Sequence, residues 1–192
     1  MAGQSEKKLK KLLEKSEELF WKYGYDTVSM NQIASEAGIS KMTIYKHFHS
    51  KEDLFIEVLT NSIEVHINNI MKTISQEYHT IEKIEFLYNY SLDLLKKYPI
   101  ILFRDIAKRK NILERIISIK QEKTLPIWRR ILEDGLNKKE IRKMDIDFVS
   151  ELLMNLPSAM KNMDFLYDEG KQLKLYESFF DFIKYGMLGS KE

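Results

Sequence analysis

Residues 29–48, SMNQIASEAGISKMTIYKHF, decide the fold expected for this chain. Ser29 can cap a first short helix, and Gln32, three residues on, can reach back to complete a capping box. Gly38 lies where the chain has to turn, a position that favours a residue without a Cβ atom. Ser40 can then cap a second short helix. The segment therefore predicts a helix-turn-helix, the layout that places one helix in the major groove of DNA.

The second helix of this segment has an inward and an outward face. Ile44 and Phe48, four residues apart, share one side of the helix and are expected to point into the domain. The outward side combines a cation, a hydroxyl, a phenol and a flexible apolar chain, a mixture suited to phosphates and base edges. The side chains that provide it are Met42, Thr43, Tyr45 and Lys46.

This segment and its flanks resemble the TetR family of bacterial transcriptional regulators. The stretch ISKMTIYKHF at 39–48 is similar to the recognition helix of that family almost position for position. Tyr23-Gly24-Tyr25 upstream and HSKEDL at 49–54 downstream resemble the ends of its flanking helices. Met42 departs from the pattern, because many members have glycine there. We expect its longer side chain to change which bases are read.

Candidate DNA contacts on the second helix follow from this face and from the resemblance. Lys41 and Lys46 are candidates for phosphate or guanine contacts, and Thr43 for a phosphate or a thymine methyl group. The resemblance implies that Tyr45 and His47 hydrogen-bond backbone phosphates. Tyr45 has an alternative role, since a tyrosine at this position could pack against the first helix of the domain.

Further candidate contacts flank that helix. Lys51, at the positive end of the next helix, is placed for another phosphate, and Thr27 and Ser29 could hold the flanking strand. The serines Ser29, Ser40 and Ser50 are first of all helix caps, a role that needs no DNA. The full candidate set is Thr27, Ser29, Lys41, Met42, Thr43, Tyr45, Lys46, His47 and Lys51.

Composition and charge narrow the class of protein. The 192 residues are 44% hydrophobic and include no cysteine, which excludes disulfides and thiolate chemistry. Neither a membrane-spanning run nor the apolar block of a signal peptide is apparent, so a soluble, cytoplasmic protein without membrane contact is expected. Nine lysines and six acidic residues occur in the first 51 residues, while the whole chain carries +2. A basic N-terminal module fits DNA contact, although charge alone fits a solvated helix face equally well.

Helical periodicity dominates the sequence, and we expect an all-α fold of about nine helices. Residues 1–50 are predicted to form a three-helix DNA-binding domain, and residues 51–192 a helical effector-binding and dimerisation domain. A long fourth helix would be shared by the two domains. Residues 111–137 are predicted to form one helix with a kink at the internal Pro126.

The eighth and ninth of the predicted helices, the last two, are unusually apolar. Phe179, Phe180 and Phe182 span more than one face of the last helix, which is therefore expected to pack on two sides at once. The resemblance implies that these two helices build a four-helix interface between two chains. The alternative is a terminal helix buried wholly in its own core. A two-fold homodimer would read a palindromic operator in double-stranded DNA.

A cavity between helices of the second domain is expected to bind a small molecule. Ordinary core packing is the alternative for each lining residue, and the aromatic and sulfur-containing side chains favour an apolar or aromatic effector. The candidates are Phe86, Tyr90, Phe103, Trp128, Asn155 and Met163.

Together these features predict a dimeric DNA-binding transcriptional regulator, a repressor released from its operator by the effector. A regulator without an effector and a helical protein-interaction module stay open as alternatives. No Gly-rich phosphate loop or nucleophile elbow is apparent, so neither an enzyme nor a cofactor is expected. His47 and His49 lack a third ligand, and no metal site is expected.

Overall fold

The computed structural model describes residues 2–75, 78–160 and 169–188, and the regular elements in these ranges are all α-helices. The predicted all-α fold is confirmed. Within the same ranges, no helix is both long and apolar enough to cross a membrane. The helices are α1 (Ala2–Tyr23), α2 (Met30–Ala37), α3 (Lys41–His47), α4 (Lys51–Ile74), α5 (Thr80–Lys97), α6 (Ile100–Ala107), α7 (Lys110–Lys123), α8 (Leu125–Asn137), α9 (Ile146–Met160) and α10 (Glu169–Leu188).

The helix predicted for residues 111–137 is interrupted at Thr124, so the prediction of one kinked helix was wrong. α7 ends at Lys123 and α8 begins at Leu125. Pro126 lies in the first turn of α8, where a backbone N–H has no partner within the helix and proline is tolerated. The proline therefore belongs to a helix start, and the described residues form ten helices.

The chain packs as two compact units. The first comprises residues 1–68 and 96–120, and the second comprises residues 69–95 and 121–192. α4 contributes residues to both units. The first unit also takes in α6 and most of α7, so it extends well past the helix-turn-helix segment. A division of roles between residues 1–50 and 51–192 stays a prediction.

An aromatic cluster lies at the centre of the first unit. The ring centroids of Phe20 and Phe55 are 5.1 Å apart, and those of Tyr25 and Phe55 are 5.0 Å apart, both in edge-to-face arrangements. Ile33 from α2 and Ile44 from α3 are fully buried in the same core. The apolar sides of α2 and α3 are thus fixed by packing on α1 and α4, which leaves their polar sides for other contacts.

The second unit is organised around α8 and α5. Leu132 of α8 and Ile84 of α5 are fully buried, and α8 packs along α9. The ring of Tyr88 in α5 stacks on Phe179 of α10, with centroids 4.4 Å apart. α10 therefore contributes one of its sides to the core of its own unit.

A carboxylate from the loop after α8 caps the start of α5. Glu140 Oε2 accepts hydrogen bonds from the Thr80 backbone N–H at 2.8 Å and from the Thr80 hydroxyl at 2.6 Å. These hydrogen bonds, the hydroxyl first, lower the pKa of Glu140. Gly135 allows the close approach, because a Cβ there would lie 2.3 Å from Thr80 Oγ1. The cap fixes the first turn of α5 against α8.

Candidate nucleic-acid interface

Two backbone hydrogen bonds close the turn between α2 and α3. The Gly38 N–H donates to the Ser35 carbonyl at 3.1 Å, and the Ile39 N–H donates to the Ala34 carbonyl at 3.0 Å. With Gly38 in the left-handed region at φ +69°, they form the Schellman motif that ends many helices. A turn was predicted at Gly38, and the left-handed backbone conformation there is one that glycine adopts without strain.

Serine side chains cap the helices on both sides of this turn and the helix after it. Ser29 Oγ accepts a hydrogen bond at 3.1 Å from the backbone N–H three residues later, and Ser40 does the same at 3.1 Å. Ser50 Oγ accepts the equivalent bond at 3.0 Å. The three predicted caps are confirmed. Because each cap fixes a helix start, the orientation of α3 is set from both ends of the turn.

α3 separates an inward from an outward side, as predicted. Ile44 is fully buried and Phe48 is half-buried. Met42 is 73% exposed, more than any other apolar side chain of α3, so most of its surface does not pack against the protein. The outward side, here called the α3 surface, consists of Lys41, Met42, Tyr45, Lys46 and His47, all exposed.

Two residues of the α3 surface contact each other. The ammonium of Lys41 lies 5.9 Å from the centroid of the Tyr45 ring, within the range of a cation–π contact. Tyr45 is 41% exposed, so its ring and hydroxyl are accessible from outside. The pair places a positive charge and a phenol side by side, both suitable for a phosphate oxygen.

Thr43 differs from the α3 surface in its environment. Its side chain is half-buried, and its hydroxyl lies 2.8 Å from the hydroxyl of Ser40, which caps the same helix. A phosphate contact by Thr43 would have to share or replace this hydrogen bond.

The other candidate contacts lie on either side of the helix-turn-helix. Thr27 and Ser29 are exposed just before α2. Lys51, the first residue of α4, is half-buried: its ammonium lies 4.4 Å from the Tyr25 ring centroid and 3.4 Å from the Asp26 carbonyl oxygen, to which it donates. Partial burial is the largest cause that lowers the pKa of Lys51. The lysine is thus positioned by the turn between α1 and α2.

Two further residues hold the same turn: Asp105 in α6, and Arg109, which lies between α6 and α7. Neither contact was predicted from the sequence. Asp105, only 2% exposed, accepts a hydrogen bond from the Asp26 N–H at 2.9 Å. Arg109 forms an ion pair with the Asp26 carboxylate, and its guanidinium lies 5.2 Å from the Tyr25 ring centroid. Gly24 leaves room for this approach, because a Cβ there would lie 2.9 Å from Asp105 Oδ2.

α7 makes a comparable contact with the first turn of α4. Arg115 Nη1 lies 3.0 Å from Asp53 Oδ1 and 3.6 Å from Glu52 Oε1. The Ser50 hydroxyl and then Arg115 lower the pKa of Asp53. Residues far along the chain therefore fix both the turn before α2 and the helix after α3. No local spacing in the sequence signals these partners, because each contact joins segments separated by 62 or more residues.

The structure distributes the six candidate effector residues unevenly. Phe86 and Tyr90 lie together, half-buried, with ring centroids 5.8 Å apart, and Trp128 is buried in the same unit. Phe103 belongs to the first unit, with its ring 6.3 Å from Tyr98. Asn155 is exposed and donates to the Glu151 carbonyl of its own helix.

Met163, the sixth candidate, lies outside the described residues. That the six residues line one cavity stays a prediction, and Phe103 lies in a different compact unit from Phe86, Tyr90 and Trp128. In the described part of the chain, no group of three or more histidines, cysteines or carboxylates is arranged to hold a metal ion.

The fold and this site define a helix-turn-helix protein. Residues 12–58 match the family described as bacterial regulatory proteins, tetR family, so the N-terminal segment with the helix-turn-helix is of tetR type. The chain is 35% identical over 82 residues to an HTH-type transcriptional regulator of Staphylococcus aureus. That match covers 43% of this chain and 42% of the relative, so it spans less than half of either protein.

Solved structures share the fold over almost the whole chain. A protein of Saccharomonospora viridis, solved in complex with choline, has a TM-score of 0.74 at 19% identity and covers 97% of this chain and 100% of its own. FadR of Bacillus subtilis, solved in complex with stearoyl-CoA, has a TM-score of 0.73 at 19% identity and covers 93% of this chain and 98% of its own. At this identity the likeness concerns the fold alone.

Proposed function

We propose that this chain is a DNA-binding transcriptional regulator of the cytoplasm, which acts as a homodimer on a palindromic operator. The observation that carries the proposal is the α3 surface: five exposed side chains on a helix held by the Ser40 cap and the Gly38 turn. Seven residues of helix are about 10 Å long, and the major groove, about 12 Å wide, admits such a helix.

Dimerisation follows from the limited reach of one recognition helix. A single α3 would contact only a few base pairs, which is too few to distinguish an operator from a genome. The second unit offers exposed apolar side chains for an interface. On α9 these are Phe148 (66% exposed) and Leu152, four residues apart, and on α10 Phe182 (66% exposed) and Tyr185 (71% exposed).

The two sides of α10 support this assignment. Ile183 and Met187 are 4% exposed and belong to the core of the unit, whereas Phe182 and Tyr185 point away from it. Large apolar groups left in water are the usual mark of an interface between proteins. A two-fold arrangement of two such chains would present two α3 surfaces to the two halves of a palindrome.

Release by a small molecule is supported by features of the second unit and by the structural neighbours. Ser150 is fully buried, and its hydroxyl has no hydrogen-bond partner among the described residues. A buried hydroxyl without a partner costs about 1–3 kcal/mol, which a polar group of a bound ligand would recover. Choline and stearoyl-CoA occupy two proteins of this fold, and both ligands combine an apolar part with a polar head or a cation.

A selection from random duplexes tests the DNA-binding proposal. We expect the purified protein to enrich a palindromic sequence and to shift DNA from upstream of its own gene in a gel. A variant with Met42→Ala and Lys46→Ala should lose that enrichment, while Lys138→Ala, an exposed lysine of the second unit, should retain it. Failure of the wild-type protein to enrich any duplex at low salt would contradict the proposal.

A thermal-shift screen separates a ligand-responsive regulator from one without an effector. If the small molecule releases the protein from DNA, an apolar or cationic compound that raises the melting temperature should also lower DNA affinity. DNA should then lower the affinity for that compound by the same factor, because the coupling between two binding sites is reciprocal. Ser150→Ala should reduce the shift without preventing folding. No stabilising compound across a broad apolar and cationic set would favour the regulator without an effector.

A further inference from the structure

α1 carries a group of lysines that the helix-turn-helix does not account for. Lys7, Lys8 and Lys11 are exposed, and they lie within one side of α1 because they are separated by three and four residues. We call them the α1 basic face. We propose that this face is a second DNA-binding surface, which contacts phosphates beside the base pairs that α3 reads. The inference rests on the proposed DNA-binding function.

The charge pattern along α1 changes at Lys11. Lys10 pairs with Glu14 at 3.9 Å and Lys15 with Glu18 at 2.6 Å, the i+4 and i+3 arrangement that stabilises a helix. Among the described residues, none of the three lysines of the α1 basic face forms an ion pair with a carboxylate. Like charges at these spacings repel each other, so an external anion bound to this face would stabilise this part of α1.

The α1 basic face adjoins the helix-turn-helix. A Cβ atom placed on Gly38 would lie 3.6 Å from the Lys11 ammonium, so that ammonium lies beside the α2–α3 turn, three residues before α3 begins. Lys7 is about 6 Å further along the axis of α1. The face therefore continues from the end of the recognition element as a row of cations.

Phosphate is the anion that fits such a row. Duplex DNA is a continuous line of charges, and lysines that neutralise phosphates release counterions whatever the base sequence. An ammonium group on a phosphate acts as a point charge and reads no base there. The α1 basic face consequently adds affinity and salt dependence, and leaves sequence preference to the α3 surface.

The test compares salt dependence of DNA binding for matched triple variants. Lys7→Ala, Lys8→Ala and Lys11→Ala together should lower the slope of log affinity against log salt by about 0.9 for each phosphate lost, two to three contacts in all. The control triple variant carries Lys72→Ala, Lys138→Ala and Lys143→Ala, all exposed in the second unit, and makes the same change in net charge. Its slope should equal that of the wild type.

The possible outcomes separate the two proposals. A basic-face variant with the wild-type slope overturns the inference. Equal slopes for the two triple variants, both below the wild type, would also overturn it, because net charge alone would then explain the effect. A wild-type protein that binds no duplex contradicts the proposed function itself. Circular dichroism checks folding, and alanine favours the helix at all three positions.

Discussion

The carboxylate of Asp105 accepts a hydrogen bond from the backbone N–H of Asp26 across 79 residues of sequence, at a distance of 2.9 Å. The carboxylate is buried, and the turn that it holds leads directly into Thr27 and Ser29. Arg109 pairs with the side chain of the same Asp26. α6 and the segment that follows it therefore fix the entry to the helix-turn-helix, through the main chain and the side chain of Asp26.

Asp105→Ala should destabilise the protein and weaken DNA binding together. The substitution removes the partner of a backbone N–H, and such a loss costs about 1–3 kcal/mol of unfolding free energy. Asp105→Asn is the matched variant: its amide oxygen can still accept the hydrogen bond, so it should retain most of the stability. Urea unfolding and fluorescence anisotropy with operator DNA measure the two effects. Equal stability of both variants and the wild type would show that the hydrogen bond does not hold the turn.

Gly38→Ala should destabilise the helix-turn-helix through backbone conformation alone. The added Cβ would meet only the Lys11 ammonium, at 3.6 Å, so steric overlap is not the cause. At φ +69° the left-handed conformation costs a residue with a Cβ about 1–2 kcal/mol. Gly38→Asn should cost less, because asparagine tolerates this region. Chemical denaturation of both variants checks the order, and an asparagine variant less stable than the alanine variant would contradict it.

The cap on α5 predicts a pH-dependent contribution to stability. The pKa of Glu140 is lowered in the folded protein from its ordinary value of 4.5, chiefly by the hydroxyl of Thr80. A carboxyl group of this kind stabilises the fold above its unfolded pKa, and the contribution is lost as pH falls through the folded pKa. The stability difference between the wild type and Glu140→Gln should therefore shrink as pH falls below about 4.5. A difference that grows below about pH 4.5 would contradict the assignment.

Phe182→Lys should convert a dimer into a monomer. Phe182 is 66% exposed in the single chain, so a lysine there should change the stability of the isolated unit little. Burial of the same lysine in an interface would leave its charge without a counterion, which destabilises the dimer. Lys174→Glu, an exposed change of charge on the same helix, is the control and should stay dimeric. Analytical ultracentrifugation at several concentrations distinguishes the two states. A dimer unaffected by Phe182→Lys would place the interface elsewhere.

Local rules were sufficient to predict the recognition element. The caps at Ser29, Ser40 and Ser50 and the turn at Gly38 each depend on a side chain and its backbone within a few residues, so they could be inferred from spacing alone. The inward side of α3 followed from the four-residue separation of Ile44 and Phe48. These parts of the fold were predicted correctly because their energetics are local.

Contacts between distant segments could not be predicted in the same way. Asp105 and Arg115 look like ordinary charged residues of amphipathic helices, and only the packing of α6 and α7 in the first unit brings them to Asp26 and Asp53. Pro126 was interpreted as the site of a kink, but it lies in the first turn of α8. Proline is found both at kinks and at helix starts, and the sequence alone does not distinguish the two.

Lys51 and Met42 should have separable roles at the DNA. Lys51→Ala should weaken binding to all duplexes alike and lower the salt slope by about 0.9, because an ammonium on a phosphate reads no sequence. Met42→Ala should leave the slope unchanged and alter which sites a random selection enriches, since Met42 is 73% exposed and carries no charge. Lys51 also lies on the Tyr25 ring, so its removal costs the fold about 0.5–1 kcal/mol, to be measured separately by denaturation. An unchanged slope for Lys51→Ala would remove it from the phosphate contacts, and identical selected sites for Met42→Ala and the wild type would exclude a base-reading role.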